Sequence, residues 1–288
     1  MIDDSSFTVT RPRVWTSGVI MCSPHSGRDY PGWFLRESIL DPLALRSSED
    51  AFMDDLARPA ADAGAVLLCA RMPRALVDLN RGPSEIDPAA VAVGGAAAGR
   101  RVNARTMAGL GVIPRIVGQG RAIRAHLITH DEAQRRIALW WRPYHSALRG
   151  LIAEAQSRFG HAIVLDLHSM PADAVSHMRP AAPQIVLGNR HGQSAGPEVT
   201  RHVEAAFREA GFRVRLNAPF SGAYIADAYG SPARNTHVVQ VEIDRTLYLD
   251  EARIAPSENY PAFAALFAGI LARLAAIRPA GALRIAAE

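Results

Sequence analysis

Three strand-like segments of this chain carry polar side chains of the kinds that bind metals or move protons. His25 follows the apolar run VIMCSP, His168 follows VLDL, and Glu242 lies within VVQVEI. A fourth segment carries the acidic pair Glu49–Asp50, in a polar run that reads as a helix start. Two imidazoles and one carboxylate are a usual ligand set for a catalytic Zn²⁺, with one position left for water. A further carboxylate near that water can act as general base, which is the pattern of a metallohydrolase. Each residue also has a plain alternative, since a turn histidine commonly only hydrogen-bonds and a strand glutamate can face solvent. Their coincidence at strand ends favours chemistry, because open α/β sheets collect ligands there.

Other arrangements carry less. His126 and His130 (HLITH) have the spacing of a zincin pair but lack its Glu, and their flanks read as loop. His145, His161, His177, His191, His202 and His237 read as structural or surface residues. Gly118-Gln-Gly120 lacks the third glycine of a nucleotide fingerprint and reads as a turn. Ser26 and Ser169 each follow a histidine directly, but no G-x-S-x-G elbow exists to present a nucleophile. All 32 basic residues are arginine. The absence of lysine excludes Schiff-base, pyridoxal and P-loop lysine chemistry. A bound anion must meet guanidinium, backbone N–H or metal.

The elements that would position these residues alternate between strand and helix. Strands are expected over Val14–Cys22, Ala65–Ala70, Ala75–Leu79, Ala162–His168, Gln184–Gly188 and Val238–Ile243. Helices are expected from Ser47 to about Ala63, within Asp131–Gly160, over Ser194–Ala210 and over Pro261–Ile277, with Pro143 a potential kink. Residues 88–100 are rich in Ala and Gly and read as a loop. The pattern predicts an α/β fold, a three-layer sandwich on a mixed or largely parallel sheet, as one domain over residues 1–288. A length of 288 residues with 49% hydrophobic content suffices for a sizeable core. The net charge of +4 is spread along the chain, which disfavours a nucleic-acid partner. The apolar stretches are too short for a membrane span. The polar start and two cysteines in apolar runs suit a cytoplasmic protein.

Seven motifs, in order, resemble the N-formylglutamate amidohydrolase family: PHSGRDYP (24–31), SEDAFMDDL (48–56), VDLNRGP (77–83), RPYHSAL (142–148), LDLHSMP (165–171), NAPFSGAY (217–224) and QVEIDRTLY (240–248). The resemblance implies a zinc carboxypeptidase-like fold and hydrolysis of a small N-acyl amino acid. Its implied reaction releases formate and glutamate at the end of histidine breakdown. It further implies His25 and His168 as Zn²⁺ ligands, with a carboxylate ligand from SEDAFMDDL, either Asp50 or, one turn later, Asp54. Glu242 resembles the catalytic glutamate of this fold class. Asn80 and Arg81 resemble the pair that holds a substrate carboxylate, with Arg142 and Arg245 as further candidate cations. After SGAY the chain departs from the family's polar run and reads Ile225-Ala226-Asp227-Ala228-Tyr229-Gly230, which leaves the choice among N-acyl amino acids open. The competing expectation is a binding protein on the same fold without turnover.

Overall fold

The computed structural model describes residues 6–92, 101–178 and 180–279. Seven strands form one sheet: β1 (Phe7–Thr10), β2 (Val19–Ser23), β3 (Val66–Ala70), β4 (Ala162–Met170), β5 (Ile185–Gly188), β6 (Val214–Leu216) and β7 (Thr236–Asp244). Their order is β1-β3-β2-β4-β7-β5-β6. β4 runs parallel to both β2 and β7, whereas β5 is antiparallel to β7, so the sheet is mixed as expected. Every residue of β2 and β4 is buried, as are all but the last of β7. Strands hidden on both faces read as continuous apolar runs, and they require layers above and below.

The chain divides into two compact units. The larger comprises residues 9–23, 51–68 and 148–288 and contains most of the sheet. Its closing helix, Tyr260–Ala275, packs against the helices Met53–Ala57, Pro59–Asp62 and Pro197–Glu209. Phe207, Phe263 and Phe267 stack along this seam. The smaller unit comprises residues 1–8, 24–50 and 69–147. It is loop-rich, and its core gathers Phe34, Leu45, Leu76, Val117 and Ile123. Arg136, wholly buried, lies 4.9 Å above the Trp33 ring and bonds Glu132 at 2.8 Å.

Several elements differ from the sequence expectation. No helix starts at Ser47: residues 47–50 form a turn, Phe52 takes a left-handed conformation (φ 63°), and short helices follow at Met53–Ala57 and Pro59–Asp62. Asp50 therefore lies ahead of the helix rather than at its first turn. Pro59 supplies no N–H, which breaks the helical pattern in two. The expected strand at Ala75–Leu79 is a set of turns held by Leu76 and Val77 N–H bonds to the Pro73 carbonyl. β2 begins only at Val19, and β1 and β6 are additional. The 88–100 loop is described only to Ala92. In the long helical region, a π turn over Ile137–Trp141 joins His130–Arg136 to Arg142–Phe159. Pro143 has no N–H to offer the Leu139 carbonyl, and the widened turn absorbs that loss without ending the helix. HLITH is no helical pair: His126 is an exposed loop residue, and only His130 begins a helix.

Candidate metal centre

The turn after β2 carries His25, and Gly27 allows its close packing. A Cβ at Gly27 would come within 2.2 Å of the Met72 carbonyl oxygen, so no larger residue fits there. The Asp50 N–H donates to the His25 carbonyl at 3.0 Å, which ties the 47–50 turn to this one. Asp50 Oδ2 then lies 3.5 Å from His25 Nδ1, with both side chains buried. The other ring nitrogen, Nε2, stands 2.7 Å from Asp78 Oδ1. Asp78 also accepts from Arg74 Nη2 at 2.8 Å and from the Asn80 N–H at 2.9 Å. Burial alone would raise the Asp78 carboxyl, but the charges of His25, Arg74 and Arg81 hold it well below the usual carboxylate range. An ionised Asp78 fixes the His25 ring so that Nδ1 turns toward Asp50.

The sheet supplies the second set of groups. β4 and β7 pair in parallel register with His168 opposite Glu242 and Asp166 opposite Gln240. Residues two apart on a strand share a face, and so do register partners, so these four side chains form one polar stripe. Cys22 of β2 is the register partner of Asp166, and its Sγ lies 3.6 Å from Asp166 Oδ1. Asp166 Oδ1 lies 3.0 Å from His168 Nε2, leaving Nδ1 as the ring atom for coordination. Gln240 accepts the Ala223 N–H at 2.8 Å and donates through Nε2 to Glu242 Oε1, also at 2.8 Å. Glu242 is buried, which disposes of the solvent-facing alternative.

One potential ligand atom from each of His25, Asp50 and His168 falls within 4.8 Å of the other two. Asp54, the alternative carboxylate, is not in this group. The donor set suits Zn²⁺ in type and number. Each imidazole has a buried carboxylate on its other nitrogen, Asp78 on His25 and Asp166 on His168. That outer arrangement fixes the tautomer and aim of metal-binding histidines.

The remaining residues singled out from sequence take different positions. Asn80 and Arg81 are buried beside Asp78. Arg81 donates through Nε to the Leu110 carbonyl at 3.0 Å and through Nη1 to the Asn80 carbonyl at 2.8 Å. Burial lowers its pKa, against the opposing charge of Asp78. Arg245 is buried and donates through Nε to Ser169 Oγ at 3.0 Å, directly after His168. Arg142 is exposed at the start of its helix.

A family model for N-formylglutamate amidohydrolase matches residues 17–249, which includes every residue of this site. The chain belongs to the N-formylglutamate amidohydrolase family. A relative from Pseudomonas putida, an N-formylglutamate deformylase, is 26% identical over 81% of this chain and 82% of its own length. One of the same name from Pseudomonas aeruginosa is 30% identical over 67% of each chain. The crystal structure of an N-formylglutamate amidohydrolase from Ralstonia eutropha JMP134 superposes with a TM-score of 0.88 at 33% identity, covering 94% of this chain and 97% of that one.

Within this amidohydrolase, sequence reasoning overlooked groups that act on others. Asp166 was legible as the residue two before His168, on the same strand face. Trp141 and His145 were not. The Trp141 indole N–H donates to the Arg81 carbonyl at 2.9 Å, and His145 Nε2 lies 2.8 Å from the Leu79 carbonyl. Their rings lie 3.9 Å apart, centroid to centroid. Together they grip the backbone on either side of Asn80, so His145 does more than fill the core.

Proposed function

We propose that this chain is a zinc-dependent N-formylglutamate deformylase, hydrolysing N-formyl-L-glutamate to formate and L-glutamate in cytoplasmic histidine degradation. The convergence of His25, Asp50 and His168, with Glu242 the register neighbour of His168, is the observation that carries this reading. The names of the relatives point to the same substrate. Two buried cysteines that form no disulfide, Cys22 and Cys69, suit a reducing compartment.

In this reading His25, Asp50 and His168 hold the ion. Bound Zn²⁺ supplies Lewis-acid polarisation of the formyl carbonyl and lowers the pKa of coordinated water towards ~7. Glu242 takes a proton from the attacking water and delivers it to the amide nitrogen as the C–N bond breaks. Gln240 holds the Glu242 carboxylate in place through Oε1. Arg81 grips a substrate carboxylate beside Asn80. Two of its five N–H groups serve backbone carbonyls, so a guanidinium edge remains for two parallel bonds. Of the two further cations, the buried Arg245 next to Ser169 suits a second anionic group better than the exposed Arg142. At the departure from the family pattern, Ala226 is buried and Asp227 pairs with Arg190 at 2.8 Å. The Asp227 charge is thus balanced, which favours retaining an acidic substrate.

The test is a panel of N-formyl, N-acetyl and N-succinyl amino acids, assayed with added Zn²⁺ alongside elemental analysis of the protein. The reading expects one metal per chain, chelator-sensitive formate release and a preference for N-formyl-L-glutamate. Full activity in metal-free protein overturns the zinc assignment, and a preference for an acetyl or succinyl substrate overturns the named one. Binding without turnover, indifferent to Glu242→Gln, identifies the non-catalytic alternative.

A further inference from the structure

The smaller unit contains a cavity of about 420 Å³ whose lining includes none of the residues assigned to hydrolysis. Ala89, Ala90 and Ala125 give it apolar walls, while Arg115, Arg124 and His126 supply the polar side. The volume lies in the range of small-molecule sites and far exceeds that of a single water, about 30 Å³.

The two arginines differ in how their charge is met. Arg115 donates through Nε to Asp87 Oδ2 at 2.8 Å, so its charge is balanced. Arg124 is only 8% exposed, and its one hydrogen bond runs from Nη2 to the Pro114 carbonyl at 3.2 Å. Its Nη1 is enclosed without a hydrogen-bond partner among the described residues. The nearby carboxylates Glu37 and Glu132 are bonded to Arg136. Burial, with the charge of Arg136, brings the Arg124 pKa down to about 10, which still leaves it cationic at neutral pH. A buried guanidinium that must share its nearest carboxylates with another arginine keeps part of its desolvation cost, and an anion placed beside it relieves that cost.

We propose that this cavity is a second, non-catalytic site for a small organic anion, whose carboxylate or phosphate meets Arg124 and His126 while its body rests on the alanines. Arg supports either headgroup, since both offer paired oxygens to its planar fork.

Isothermal titration of the full chain with glutarate and, separately, with inorganic phosphate tests this and identifies the preferred headgroup. The variants are Arg124→Gln, which removes the charge, and Ala125→Trp, which keeps it but fills the space. Both should weaken binding of the preferred probe about 10-fold or more, the loss expected for one charge-assisted hydrogen bond. Both should leave kcat and KM for N-formyl-L-glutamate within about two-fold of the parent. If Arg124→Gln does not fold, as judged by circular dichroism, Ala125→Trp decides alone. Three results overturn the proposal: no binding of either probe, equal binding in parent and variants, or a KM that rises in step with the lost binding, which would make the cavity part of the substrate site. The titration reads binding alone, so it stands even if the chain proves not to hydrolyse N-formylglutamate.

Discussion

The site draws on two kinds of scaffold, and they hold their residues by different means. Asp166, His168, Gln240 and Glu242 are fixed by the ladder between β4 and β7, where register alone sets them on one face. His25, Asp50, Asp78, Asn80 and Arg81 sit on turns, and hydrogen bonds among buried polar groups hold them there. In the first group, losing one side chain leaves its neighbours in place, because the backbone positions them. In the second, one carboxylate serves several partners, so its loss propagates. Asp78 illustrates this, since it meets His25, Arg74 and the Asn80 N–H at once.

The largest effect expected is at Glu242, the strand-borne residue to which the proposed mechanism gives the role of base. Glu242→Gln should lower kcat by about 10² to 10⁴-fold, with metal content and melting temperature unchanged. A metal loss in this variant would show that the strand group is not independently positioned. The next comparison sets Asp166→Asn against Asp78→Asn. Either should weaken metal binding by about 10 to 100-fold, measured by competition with a chelator. Only Asp78→Asn should also raise KM and lower the melting temperature, because it leaves Arg74 and Arg81 short of their counter-charge. Equal behaviour of the two variants would erase the distinction drawn above.

Trp141→Phe is milder. It removes the indole bond to the buried Arg81 carbonyl, a loss of about 1–3 kcal/mol if nothing replaces it. KM should rise while kcat stays close to the parent value, and a steady-state KM-against-kcat comparison checks this. A fall in kcat alone would mean that Trp141 does not steady Arg81 as the proposed substrate clamp.

The smallest effect concerns pH. Burial lowers the pKa of His161, and burial with the neighbouring charge of His161 lowers that of His237. His237 Nδ1 accepts the Gly196 N–H at 3.1 Å, a bond that requires this nitrogen to be unprotonated. Folded, both rings stay neutral while the unfolded chain binds protons below its ordinary value of about 6.5. Their contribution is therefore complete above that pH and declines as pH falls from there toward the folded-state values. Urea midpoints at pH 7.5 and 5 should show this decline, and the double variant His161→Gln/His237→Gln should flatten it. An unflattened profile would assign the acid sensitivity to other groups.

Much of the strand-borne half was legible in sequence, because a period of two and a continuous apolar run define both the strand and the face that each residue occupies. AIVLDLH and VVQVEI needed only their pairing to bring His168 and Glu242 together. The turn-borne half was legible only as residue types. The polar run at 47–50 has the composition of a helix start, yet it forms a turn whose Asp50 N–H bonds the His25 carbonyl, 25 residues earlier in the chain. The choice of Asp50 over Asp54 depends on that long-range bond, and no local pattern encodes it. Likewise, Trp141 and the RPYHSAL run that follows it show an aromatic and a histidine, but not that Trp141 and His145 reach back to residues 79–81.

By itself the sequence determined the mixed α/β class, the residue types available for metal, carboxylate and imidazole chemistry, and the absence of any amine nucleophile on lysine. Those follow from composition and from short-range periodicity, which depend only on neighbours along the chain. Tertiary structure alone decided which carboxylate joins the histidines, which buried acids aim them, and which buried arginine shares its nearest carboxylates with another. Such outcomes depend on the burial of polar groups by residues distant in sequence, and burial sets what each must bond to.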